Sequence, residues 1–196
     1  MNSIIVEGID RLGKSTLIEG LRDELGYFQV VHYEKPKLLK YHLEASAIAA
    51  GGTVTDPWVK QLAYKIYQYT SFKTMFNMLG SPGSFIMDRA HLGEVVYAPM
   101  YRGYDGDYVF DLENDHLADT ERTLLVHLTT SDLSFIADDG LSLDFAKREQ
   151  EREIFRRAFE RSQIKRKITV DVSNGPQFKR KKDILNEVLE AFLRRE

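Results

Sequence analysis

Apolar residues in this chain fall into short continuous runs and into longer stretches at helical spacing, and the two alternate along its length. Residues 1–7 contain Ile4, Ile5 and Val6, the pattern of a buried strand. Leu17, Leu21 and Leu25 then recur every four residues, with Ile18 beside them, until Gly26 stops the helix. Residues 28–33 (FQVVHY) predict a second strand, which Pro36 prevents from pairing further. A helix carrying Leu38, Leu39 and Leu43 closes at Gly51 and Gly52. Asp56 as N-cap and Pro57 in the first helical position open a long helix towards Leu79, with Trp58, Leu62, Ile66 and Phe76 supplying much of its apolar seam. Residues 84–87 (SFIM) form a short buried strand that delivers Asp88 and Arg89 at its C-terminal end. The pattern of residues 90–101 predicts a helix as far as Pro99, 103–107 a loop, 110–117 a helix, and 123–128 (TLLVHL) a fourth strand. Residues 131–144 carry turn chemistry, with Asp138, Asp139 and Gly140 at the tip of a mobile segment. Helix resumes from Phe145, with Phe155 and Phe159 four apart. Residues 168–172 form a fifth strand, and Ile184, Leu185, Val188, Leu189, Phe192 and Leu193 mark an amphipathic last helix.

Strands that alternate with helices in this way imply an α/β fold: a five-stranded parallel sheet covered by helices on both faces and joined by right-handed crossovers. The 196 residues, 43% of them hydrophobic, suffice for one core, so a single domain over 1–196 is expected, with a short lid at about 131–146. A net charge of −3 provides no basic surface for nucleic acid. No apolar run approaches the ~18 residues of a membrane span. The absence of cysteine excludes disulfides, zinc–thiolate sites and thiol nucleophiles and suits a reducing cytoplasm. A first strand at the initiating methionine leaves no place for a leader, and the cytoplasm is the expected location.

The chemistry concentrates at residues 8–16, GIDRLGKST, where Gly8, Gly13, Lys14 and Ser15 fit G-x-x-x-x-G-K-[ST] between a strand and a helix. Glycines let the backbone turn sharply there, and the helix start aims unpaired N–H groups at an anion. Gly8, Gly13, Lys14, Ser15 and Thr16 therefore make up a nucleotide phosphate site. Lys14 is placed for the β- and γ-phosphates, and the Ser15 hydroxyl for the Mg²⁺ that bridges them. Asp88, at the end of an apolar strand, has the position of a carboxylate that supports the metal or its waters; capping a helix is its plainer role.

The stretch IIVEGIDRLGKST, followed later by a strand ending in Asp88 and Arg89, resembles thymidylate kinases, and Arg11 matches the loop arginine of the eukaryotic form EGVDRAGKST. The resemblance implies a P-loop nucleoside monophosphate kinase fold, Mg²⁺, ATP as donor, dTMP as first acceptor and a homodimer. It assigns Asp10 to the acceptor's sugar and phosphate region, Arg11 to the transferring phosphoryl group and Arg89 to the acceptor phosphate. Lys35 corresponds to a basic residue after the second strand. Tyr64 and Gln68, at 24 and 20 positions before Asp88, correspond to an aromatic that stacks on the base and an arginine that reads its edge. Tyr97 corresponds to a ring against the sugar 2′ carbon. Gln68 departs from the family's arginine, which leaves thymine, uracil or a modified pyrimidine open and fits a viral or otherwise specialised member. Gly93 stands where the family has serine, and the adjacent Glu94 has no assigned role: a buried carboxylate near Mg²⁺ or the sugar and a place on the helix surface are both open.

Phosphoryl transfer needs a cation over the equatorial oxygens. Between Arg122 and Lys147 the chain has no lysine or arginine, so Arg11 is the expected cation, with Lys147 and Arg148 as reserves. Two other functions fit a P-loop. A deoxynucleoside kinase would use Glu34, at the end of the second strand, as base on a 5′ hydroxyl. A GTP-hydrolysing switch would need an Asn/Thr-Lys-x-Asp motif, which the sequence lacks.

Overall fold

The computed structural model describes residues 3–33, 36–136 and 144–194. Five strands, β1 (Ser3–Glu7), β2 (Gln29–His32), β3 (Phe85–Asp88), β4 (Thr123–Thr129) and β5 (Arg166–Asp171), form one parallel sheet in the order β2-β3-β1-β4-β5. The two strands that flank β1 come from distant parts of the sequence. The topology therefore reverses direction at β1, the position at which open α/β sheets bind ligands beyond the carboxyl ends of their strands. Ile4, Ile5 and Val6 are buried on both faces, as an all-apolar central strand requires.

Eight α-helices cover the described sheet: α1 (Lys14–Leu25), α2 (Lys40–Ala50), α3 (Pro57–Gly80), α4 (Leu92–Tyr97), α5 (Tyr108–Asp115), α6 (Leu117–Thr120), α7 (Arg148–Arg161) and α8 (Lys181–Leu193). Gly26 ends α1 in a positive-φ conformation, as expected. The core joins β1, β3 and β4 to Leu17 and Leu21 of α1, Phe72, Met75 and Phe76 of α3, Phe155 and Phe159 of α7, and Val188 and Phe192 of α8. Among the described residues no helix is long and apolar enough to cross a membrane.

Three details differ from the expected pattern. Trp58 and Ile66 lie on the exposed side of α3, and its buried seam is Val59, Ala63, Phe72, Met75, Phe76 and Leu79, with Gln68 among them. The Asp56 side chain accepts from the Thr53 N–H (2.8 Å) and not from the helix it precedes. The chain does not leave the helix at Pro99. It continues from α4 into a π-helical turn, Ala98–Arg102, closed by Gly103 N–H to the Ala98 carbonyl (2.9 Å). Proline at the start of that turn forgoes only an N–H that the wider turn does not use.

Candidate active site

The phosphate loop rises from β1 between two cavities. Gly8 sits at φ 139°, and a Cβ there would lie 2.3 Å from the Leu128 carbonyl oxygen of β4, so only glycine lets the loop pass this close to the sheet. Lys14 is buried, and its ammonium donates to the carbonyls of Gly8 (2.9 Å) and Ile9 (2.6 Å) and lies 3.9 Å from Asp10. Burial lowers its pKa from 10.5 to about 8, against the opposing pull of Asp10. His127, buried beneath the loop, is likewise pushed down to about 4, first by burial and then by Lys14.

Among the described residues only Arg11 and Arg89 combine a side chain with positive φ, at 71° and 65°. Such backbone costs free energy and persists where the surroundings over-determine it. Arg89 follows β3, where its N–H donates to the Val6 carbonyl (3.0 Å). Its guanidinium donates to Asp10 Oδ1 at 2.9 Å.

The larger cavity, about 910 Å³, runs from the loop between α1 and α8. Gly13, Lys14, Ser15 and Thr16 line it, as does Arg11, with Lys179, Lys181 and Lys182 on the far wall. The smaller, about 270 Å³, lies on the opposite side of the loop beneath α3 and α4. Gly8, Gln68, Phe72, Gly93, Glu94, Tyr97 and Arg102 help to line it. Asp10 and Arg89 line both cavities. Tyr97 is held edge-on against Phe155 (5.9 Å, 77°), and burial raises its phenol pKa.

Other expected residues lie elsewhere. Tyr64 is not among the lining residues; the Arg102 guanidinium carbon lies 6.0 Å from its ring, and Phe72, one turn beyond Gln68, is the ring that α3 places in the cavity wall. Asp88 is nearly buried, and its Oδ2 is held by His32 Nδ1 at 2.7 Å, the two being register partners on β3 and β2. Lys147 pairs with Asp144 (3.1 Å), and Arg148 donates to the Ile136 carbonyl (3.2 Å); neither lines either cavity. Lys35, Glu34 and the middle of the expected lid, 137–143, lie outside the described residues.

Two buried carboxylates beside the smaller cavity take their roles from the fold. Glu7 is buried, its pKa raised by burial, and accepts the N–H groups of Leu92 (3.0 Å) and Gly93 (3.4 Å) at the start of α4. Glu94 is buried at the centre of a polar cluster. Its Oε1 accepts from the Tyr104 and Tyr108 hydroxyls, and its Oε2 from Gln68 Nε2 (3.1 Å) and Arg102 Nη1. A Cβ on Gly106 would lie 2.4 Å from the Glu94 carbonyl oxygen, so glycine there lets the loop bring both tyrosines over the carboxylate. The one available signal was a lone carboxylate in the otherwise apolar run 92–98.

For Mg²⁺, the candidate donors are the exposed Ser15 hydroxyl at the first turn of α1, which lines the larger cavity, and Asp88, which lines neither cavity and has one oxygen engaged by His32. No group of three acidic, histidine or cysteine side chains that could hold a metal occurs among the described residues. A set of one or two hard oxygens fits an ion that keeps waters and phosphate oxygens as its other ligands, as magnesium does.

No family model matches the chain, and no curated protein sequence does. Similar solved structures include thymidylate and deoxyadenosine kinases. YorR from Bacillus subtilis, solved in complex with phosphorylated GDP, is 17% identical with a TM-score of 0.60, over 96% of this chain and 94% of that one. Thymidylate kinase from Ehrlichia chaffeensis is 19% identical with a TM-score of 0.58, covering 96% and 97%. Deoxyadenosine kinase from M. mycoides with bound dATP is 15% identical with a TM-score of 0.54, again covering 96% and 97%. The chain thus has the α/β P-loop fold of these kinases.

Proposed function

We propose that the protein is an ATP-dependent deoxynucleoside monophosphate kinase of the thymidylate kinase type, with dTMP, dUMP or a modified pyrimidine analogue as acceptor. One observation carries this reading: two cavities meet at the Asp10–Arg89 pair beside the phosphate loop. In-line transfer needs a donor and an acceptor phosphate on either side of one such point.

The larger cavity takes ATP, with its phosphates along the N–H groups and side chains of Gly13 to Thr16. Lys14 leaves its loop carbonyls for the β- and γ-phosphates, and contact with the anion restores its full charge. Ser15, with Asp88 or the waters it orients, would hold a magnesium ion, which would supply charge neutralisation at the donor phosphates. Arg11 meets the transferring phosphoryl group. The smaller cavity takes the acceptor, its phosphate on Arg89, its sugar against Tyr97 and its base between Phe72 and Gln68. Asp10, already bonded to Arg89, holds that guanidinium at the junction. Catalysis is positioning and charge neutralisation, with no covalent intermediate.

The likeness to a deoxyadenosine kinase supports a second reading, with a free nucleoside as acceptor and Glu34 as base. Arg89 weighs against it, because a nucleoside brings no phosphate to the guanidinium. For assembly, a homodimer is the proposal: α2 and α3 expose Tyr41, Ile48, Trp58 and Ile66, the kind of apolar surface that marks association. The test of function is ADP release with Mg-ATP across the deoxynucleoside monophosphates and their nucleosides. Turnover with dTMP or dUMP and little with thymidine supports the monophosphate kinase. Turnover with thymidine that is lost in Glu34→Gln overturns it.

A further inference from the structure

The Gln68 amide can in principle face the acceptor base in either of two orientations half a turn apart, and these suit opposite hydrogen-bond patterns. Its neighbour decides between them. A carboxylate only accepts, and Glu94 Oε2 lies 3.1 Å from the amide nitrogen, so a turned amide would set oxygen against oxygen. Held this way, the amide offers the cavity its second N–H and its Oε1, which accepts no hydrogen bond among the described residues.

Arg102 approaches the same Glu94 oxygen, which sets a second donor beside the first. It lines the cavity with N–H groups to spare and has no acceptor. Glu94 itself is full. Its two oxygens offer about four lone-pair sites, and Gln68, Arg102, Tyr104 and Tyr108 use four. An exocyclic amine here would meet donors and find no free lone pair on the carboxylate. A ring carbonyl would meet two donors, with Gln68 Oε1 left to accept the neighbouring ring N–H.

We propose that Glu94 is the positioning residue for base selection: by fixing Gln68 and Arg102 as donors it commits the acceptor cavity to the O4 and N3–H edge of thymine or uracil and against the N4 amine and bare N3 of cytosine. The inference rests on the monophosphate-kinase reading, in which this cavity holds the acceptor base. Guanine shares the order of carbonyl and N–H, so the informative comparison is dTMP and dUMP against dCMP.

The experiment measures kcat and KM for these three acceptors, and their Kd by calorimetry, for the wild type, Glu94→Gln and Gln68→Met. The wild type should favour dTMP and dUMP over dCMP by about 10²-fold or more, because the wrong edge leaves buried groups unpaired. In Glu94→Gln the neighbouring amide can donate as well as accept, so Gln68 is free to turn. The preference should then fall to within about tenfold, through KM and Kd, with kcat for dTMP little changed, as expected for loss of ground-state binding. A role confined to stability would lower the melting temperature and leave the base ratio intact. If Glu94→Gln fails to fold, Gln68→Met, which leaves Glu94 its other three donors, should collapse the same preference. A wild type that binds dCMP as tightly as dTMP, or folded variants that keep full discrimination, overturns the inference. If no monophosphate is phosphorylated, it is the kinase reading that fails, and the ratio of Kd values still tests the lock.

Discussion

Arg89 reaches back from the end of β3 to donate to Asp10, inside the phosphate loop, at 2.9 Å, and so ties together the walls of the two cavities. The pair is only partly buried, at 39% and 35% exposure, so its attraction alone adds little stability. Its consequence is positional, since it holds a guanidinium at positive φ where the two cavities meet.

Arg89→Ala should therefore raise KM for the monophosphate and lower kcat, each by about tenfold or more, because a charge-assisted contact to the acceptor phosphate is lost. The Kd for ATP should change far less. Steady-state kinetics with varied acceptor, alongside ATP titration of the variant, separates the two. A variant that loses ATP affinity and keeps its acceptor KM would place Arg89 on the donor side.

Arg11→Ala should lower kcat by roughly 10²–10⁴-fold with smaller effects on either KM, as for a cation that acts in the transition state. Lys147→Ala and Arg148→Ala should be much milder, since neither side chain lines a cavity. Greater damage from Lys147 or Arg148 than from Arg11 would move the catalytic charge to the lid.

The free enzyme should respond to alkaline pH through Lys14, whose pKa is lowered to about 8 by burial while the unfolded chain titrates near 10.5. Between those values the unfolded state binds more protons, so this group makes stability rise with pH across that window. Activity should move the other way. The ratio kcat/KM for ATP, which reports the free enzyme, should fall above about pH 8, while kcat, with phosphates holding the proton on Lys14, stays level further up. A flat kcat/KM to pH 9.5 with ATP varied would show that the buried ammonium does not titrate there.

Tyr97 should exclude the ribose 2′ hydroxyl, so dUMP should be preferred to UMP, and Tyr97→Ala should narrow that preference. Its ring is braced by Phe155, which makes the wall unyielding. A wild type indifferent to the sugar would remove the gate.

The sheet and the phosphate loop were legible in the sequence for a local reason: each strand is a short apolar run, and the loop motif is contiguous. The smaller cavity was less so, because it is assembled from side chains whose phase is set by tertiary packing. Tyr64 and Phe72 both lie four residues from Gln68, and periodicity alone cannot say which turn faces the cavity. In the structure Phe72 does, and Tyr64 lies beside Arg102. Trp58 and Ile66 illustrate the same point on α3, where hydrophobicity suggested burial and the helix rotation exposes both. The Glu94 cluster depends on a π turn and on close approach at Gly106, neither of which leaves a periodic trace. Asp88 was read from its strand position, and its partner His32 emerges only from the register of two strands that are neighbours in space.

The central claim is that a phosphoryl group crosses from one cavity to the other at Asp10 and Arg89. Single-turnover reaction of the enzyme with Mg-ATP labelled in the γ-phosphate and excess dTMP tests it most directly, by following where the label goes. The expected result is label in dTDP, at a rate reduced more than 10³-fold in folded Lys14→Ala, because that ammonium meets the transferring charge. Label released as inorganic phosphate, or an undiminished rate in Lys14→Ala, would contradict it.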